Sequence, residues 1–165
     1  MAQFSTVTGI TDMGETLKGL SAQLSEFRLA TATNLLGSSV LIPGNMARPN
    51  ENGEIHGVVD LPSASSATSI TISDMNGEVI DAIELGPQAN GLVGFTWNNV
   101  PQNILDENAA VRLDAYADTG SGREAVSSSV FAEVLAASTG GASGVRLDVR
   151  DYGEIDAAEV VKFRK

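Results

Sequence analysis

The chain has 165 residues, with 10 Lys and Arg against 21 Asp and Glu, for a formal charge of -11 at neutral pH. At about 150 residues per domain that length holds one ordinary domain or two small interlocked ones, and the charge has the wrong sign for neutralising nucleic-acid phosphates or binding anionic membrane surfaces. The absence of cysteine and the single histidine, His56, exclude a disulfide framework, a thiolate nucleophile and a thiolate or imidazole-rich metal site.

Hydrophobic residues make up 42% of the chain, yet aromatics are only 5% and charged residues 19%, so Ser, Thr, Ala, Asn and the 17 glycines fill the rest. That balance points to β-structure with many turns. No stretch approaches the roughly 18 apolar residues that span a bilayer, and the start MAQFSTVTGI has neither a basic nor an apolar leader region. Such a chain suits the bacterial cytosol, and equally an export machine that reads another signal.

The first third follows a helical period. Ile10, Met13, Leu17, Leu20, Leu24 and Phe27 are spaced 3, 4, 3, 4, 3, the a and d positions of a heptad. Asp12 and Glu15 suggest a capping box at the start of this helix. Gly9, Gly14 and Gly19 each cost about 0.8–1 kcal/mol relative to Ala in a helix interior, so the helix is marginal alone. The stripe packs either on its own domain or on helices of other chains; its narrowness and strict spacing favour the second.

After Asn34 short β-type runs take over. Residues 39–43 (SVLIP) form a strand closed by a turn, and 48–53 (RPNENG) read as an exposed loop. Strands are expected at 55–61, 69–73, 79–85, 92–97, 111–117 and 125–131, which suggests a β-sandwich. The segment DMNGE at 74–78 predicts a hairpin with Asn76-Gly77 in a type I′ turn, and residues 111–118 alternate apolar with polar side chains, giving one buried and one wet face. A Gly-rich break after Thr139 precedes two further strands, 145–149 and 160–163. The tail is too short for a core of its own, so it forms either a loose hairpin or the completion of a sheet begun by 39–43, the reading favoured here.

Few residues carry chemistry. His56 lacks an adjacent nucleophile or second histidine. Residues 148–159 (DVRDYGEIDAAE) have the outline of a calcium loop, but its third and fifth positions are Arg150 and Tyr152, so a solvated acidic turn is the better reading and no metal ligand is assigned. No glycine pattern fits a phosphate-binding loop, and no cofactor is expected. Trp97 beside Asn98 and Asn99 offers a sugar-stacking platform, although burial of Trp97 and Phe95 in the sandwich is the stronger reading. The rival functions are therefore a secreted carbohydrate-binding or adhesion β-sandwich, and a carboxylate hydrolase, for which only scattered acids are present.

The segments AQFSTVTGITDMGETLKGL, LLGSSVLIPGN, ITISDMNGEVIDAIELG, GFTWN and SGVRLDVRDYGEIDAAEVV, in this order, resemble the FlgD family of bacterial flagellar hook-capping proteins over essentially the whole chain. The resemblance implies a mainly β fold: a fibronectin type III-like (Ig-like) sandwich inserted into a small Tudor-like or SH3-like barrel, with an N-terminal helix. The corresponding domains are 1–34 for the helix and oligomerisation, 35–53 with 132–165 for the split barrel, and 54–131 for the sandwich. It also implies a non-enzymatic scaffold, made in the cytoplasm and exported to the distal tip of the growing hook, where it promotes polymerisation of hook subunits.

The implied partners are further copies of the chain, the hook protein, and the flagellar type III export apparatus. The resemblance places Met1 after the family's export-related N-terminal region, so contact with that apparatus is expected through residues this chain lacks. Neither nucleic acid nor membrane is an expected partner. The run 98–110 (NNVPQNILDENAA) departs from the family pattern after Trp97. Loops 88–91 and 102–108 are candidate contacts with hook protein.

Overall fold

A computed structural model describes residues 2–34, 36–140, 144–160 and 162–164. The chain divides into two compact units, one formed by Met1–Gly37 with Val134–Ala157 and the other by Ser38–Glu133 with Ala158–Lys165. Most of the described chain is β-strand.

In the larger unit the strands are β1 (Ser39–Pro43), β2 (Met46–Ala47), β3 (Ile55–Leu61), β4 (Ser65–Ser73), β5 (Val79–Gln88), β6 (Gly91–Trp97), β7 (Val111–Asp118) and the first part of β8 (Arg123–Gly140). One sheet runs β6-β3-β8-β1, every pair antiparallel. The other runs β5-β4-β7-β8, also antiparallel, with the short β2 beside β7. The alternation expected for 111–118 is present: Val111, Leu113, Ala115 and Ala117 are buried and the residues between them are not. With Ile55, Val59, Leu61, Ile70, Ile72, Phe95 and Trp97 they make an apolar core between the two layers.

Gly57 shows how closely that core is packed. A Cβ at this position would collide with the Phe95 ring and lie 2.8 Å from the Ser129 carbonyl oxygen. Gly57 and Phe95 are direct cross-strand partners, so the ring lies over the space that the missing side chain leaves.

The strand expected at 160–163 is found as a later strand, Lys162–Arg164, antiparallel to β1 with Val40 opposite Phe163. Residues 39–43 thus have the tail as a sheet partner; Val161 lies outside the described residues.

The smaller unit contains α1 (Ala2–Thr33), the end of β8, β9 (Gly144–Val149) and β10 (Gly153–Asp156), so that the strand at 162–164 is β11. β9 pairs with both β8 and β10, and Val134, Leu147 and Val149 are buried there. The helix lies against β9. The Gly-rich break is a β8–β9 hairpin in which Gly140 is opposite Gly144; residues 141–143 lie outside the described residues.

Three local expectations are corrected. Asp12 does not start the helix: α1 begins at Ala2 and runs through all three glycines, with Thr16 Oγ1 donating to the Asp12 carbonyl at 2.8 Å. The β4–β5 turn is not type I′, because of its residues only Gly77 has a positive φ, 91°. Instead Asp74 Oδ1 accepts from the amides of Asn76 and Glu78 at 2.9 and 2.8 Å and closes a longer loop. The run 98–110 is not all loop, since α2 (Gln102–Glu107) lies within it and ends at Asn108 in the left-handed conformation.

Candidate functional site

Five of the six heptad residues are exposed rather than part of a core of this chain. Ile10, Met13, Leu17, Leu20 and Leu24 are 66%, 69%, 66%, 61% and 48% exposed, while the side chain of Phe27 lies outside the described ones. At 1.5 Å per residue α1 is about 48 Å long, and these side chains drift only slowly around it, as a 3.5-residue repeat does on a 3.6-residue helix.

What surrounds the stripe matters as much. Gly14, Thr16, Ser21 and Gln23 flank it, whereas Asp12, Glu15, Lys18 and Glu26 fall on the far side of the helix. A Cβ placed on Gly9, Gly14 or Gly19 meets nothing within 4 Å.

The other sequence candidates are accounted for by packing. Trp97 is 2% exposed, and its indole Nε1 donates to Asp81 Oδ2 at 2.7 Å, so neither face is open for stacking on a sugar. That hydrogen bond, with a second from the Ala82 amide, holds the Asp81 carboxyl below its ordinary pKa. His56 Nδ1 lies 2.9 Å from Thr96 Oγ1 and its Nε2 lies 3.1 Å from Glu54 Oε2, a satisfied position on the β3–β6 ladder. The segment 148–159 is the end of a strand, a tight turn, a second strand and a 3-10 turn at Ala157–Glu159, with Asp148 opposite Glu154, rather than a loop wrapped around a central cation. Among the described residues no group of three His, Cys, Asp or Glu is placed to hold a metal.

The two candidate contact loops differ in kind. Residues 88–91 are a tight connection between β5 and β6. Residues 102–108 contain α2, anchored by buried Ile104, and border a cavity of about 580 Å³ with the β4–β5 turn, including Met75, Glu78 and Val79.

These features define a mainly β protein with a long helix whose apolar stripe is open to solvent. Residues 44–103 match the family model of the FlgD Ig-like domain. The basal-body rod modification protein FlgD of Escherichia coli is 30% identical over 97% of this chain and 72% of its own length. That of Salmonella typhimurium is 28% identical over the same shares. The chain belongs to the FlgD family.

Two solved structures share the fold. FlgD of Pseudomonas aeruginosa superposes with a TM-score of 0.63 at 21% identity, covering 76% of this chain and 95% of that one. FlgD of Xanthomonas campestris, described in connection with the hook capping essential for flagellar assembly, gives 0.61 at 23% identity, covering 82% and 98%.

Proposed function

We propose that this chain is a structural scaffold, without enzymatic activity, that caps the growing flagellar hook and promotes polymerisation of hook subunits. The observation that carries this reading is the match to FlgD proteins along nearly the whole chain. The fold shared with the FlgD of X. campestris supports it. The rival carbohydrate-binding reading loses its platform with the burial of Trp97.

The cap forms by self-association through Ile10, Met13, Leu17, Leu20, Leu24 and Phe27. An exposed seam of this kind contributes about 1.5–3 kcal/mol per side chain once covered, against glycine penalties of about 0.8–1 kcal/mol each, so pairing and helix stability rise together. The working place is the distal tip of the hook, reached through the flagellar type III export apparatus after synthesis in the cytoplasm.

Within this reading residues 54–131 are a fibronectin type III-like sandwich inserted into a split Tudor-like or SH3-like barrel formed by 35–53 and 132–165, with 1–34 as the oligomerisation helix. The antiparallel pairing of β1 with β11 joins strands from the two ends of the proposed insertion, while both strands belong to the larger unit, where β1 also pairs with β8. Leu35, at the proposed boundary, lies outside the described residues. Loops 88–91 and 102–108 are the proposed contacts with hook protein.

The test is to add the purified chain to isolated hooks with hook monomers and follow tip labelling by electron microscopy. Labelled tips and faster elongation are expected, both weakened when the two loops are scrambled. Label spread along hook sides, or elongation unchanged by the chain, contradicts the reading.

A further inference from the structure

The sheet edges of this protein are not equally guarded. An edge strand offers unpaired amides and carbonyls to any passing strand, and charged side chains or proline normally blunt it. β5 carries Asp81, Glu84 and Pro87; β10 carries Glu154 and Asp156; β11 carries Lys162 and Arg164. β6, with the sequence GLVGFTW, carries neither charge nor proline.

β6 pairs with β3 over its full length and with no other strand. Among the described residues its backbone makes no backbone–backbone hydrogen bond outside that ladder. Leu92 is 67% exposed, and a Cβ built on Gly94 meets nothing within 4 Å, so the outer face of β6 is open to solvent.

Charge decides what fits there. Residues 49–111 contain no Lys or Arg, while nine Asp and Glu stand among them. Asp60 is opposite Leu92 on β3, Asp81 bonds to Trp97 at the end of β6, and Glu54 stands beside His56, which is opposite Thr96. A second copy presenting the same edge would bring one acidic field against another. We infer that the free edge of β6 receives an extended segment of a different polypeptide, uncharged where it pairs and carrying Lys or Arg at its ends, which adds a strand to the β6-β3-β8 sheet. This rests on the edge and its field, independently of the α1 seam and of the hook-cap reading.

The probe is a nine-residue peptide of alternating Thr and Val between pairs of lysines, with one twin ended in glutamates and another interrupted by proline. Hydrogen exchange of the β6 amides is followed together with binding. The lysine-ended peptide is expected to slow exchange within Gly91–Trp97, with affinity falling as salt screens the field. The glutamate and proline twins are expected to bind about tenfold or more weakly, a difference of about 1.4 kcal/mol.

Leu92→Lys with Gly94→Lys guards the edge and is expected to abolish protection while Trp97 fluorescence stays native. Should that double variant unfold, the exchange footprint on the unaltered chain decides. Equal binding of the lysine and glutamate peptides, protection on β5 instead of β6, or unchanged binding by a folded double variant overturns the inference. So does β6 protection that grows with the concentration of the chain alone, which would make a second copy the occupant.

Discussion

Trp97 Nε1 donates a 2.7 Å hydrogen bond to Asp81 Oδ2, tying the edge strand of one sheet to the edge strand of the other. The indole is buried and the carboxylate sits at the rim, so a charged acceptor satisfies a donor that has lost water. Because the folded state lowers the Asp81 pKa, chiefly through the indole, the stabilisation is complete above the ordinary value of 3.8 and is lost as pH falls through the lowered one. Asp74, lowered mainly by the Asn76 side chain, acts in the same window and direction.

Asp81→Asn is therefore expected to cost about 1 kcal/mol at pH 7, discounted for solvent screening, and to flatten the stability profile below pH 4. Urea midpoints from pH 7 to pH 2.5 check this. A variant with the same acid limb as the parent chain would contradict it.

Gly57→Ala is expected to destabilise the protein by about 1–3 kcal/mol, because the added methyl drives into the Phe95 ring and the Ser129 carbonyl. Phe95→Leu alone also weakens the core. The double variant should lose less than the sum of the two, since the smaller side chain gives the methyl room. Additive losses in denaturant titrations would show that ring and glycine are not coupled.

Gly19 lies on the face of α1 away from the apolar stripe, with open space where a Cβ would be. Gly19→Ala should stabilise the helix by about 0.8–1 kcal/mol, read as a higher midpoint of the 222 nm helical signal on heating. A lower midpoint would mean that a neighbouring chain approaches that face, contrary to a seam confined to the heptad positions.

The period-based features were the legible ones. A 3, 4, 3, 4, 3 spacing is intrinsic to one face of a helix, so the stripe from Ile10 to Leu24 is visible without knowing what covers it. β3 and β7 follow from alternating apolar residues. The start of β4 was hidden, because Ser65, Ser66 and Ala67 have no β-forming pattern and the ladder shifts register between Ser65 and Thr68. β10 reads as turn composition, and α2 is too short for a helical period to register.

The Asn-Gly pair correctly marked a hairpin but named the wrong turn, since the Asp74 carboxylate competes for the amides that a two-residue turn would leave to the ladder. Asp81 and Trp97 meet through sheet stacking between separate strands, and nothing local in either segment announces it.

Self-association through α1 is read from the solution mass. Light scattering on the chain is expected to give a multiple of its 17.1 kDa protomer mass. Replacing Leu17, Leu20 and Leu24 with glutamine, or beginning the chain at Leu35, should return it to that of a single copy. An unchanged mass after the three substitutions would contradict the assignment of the seam.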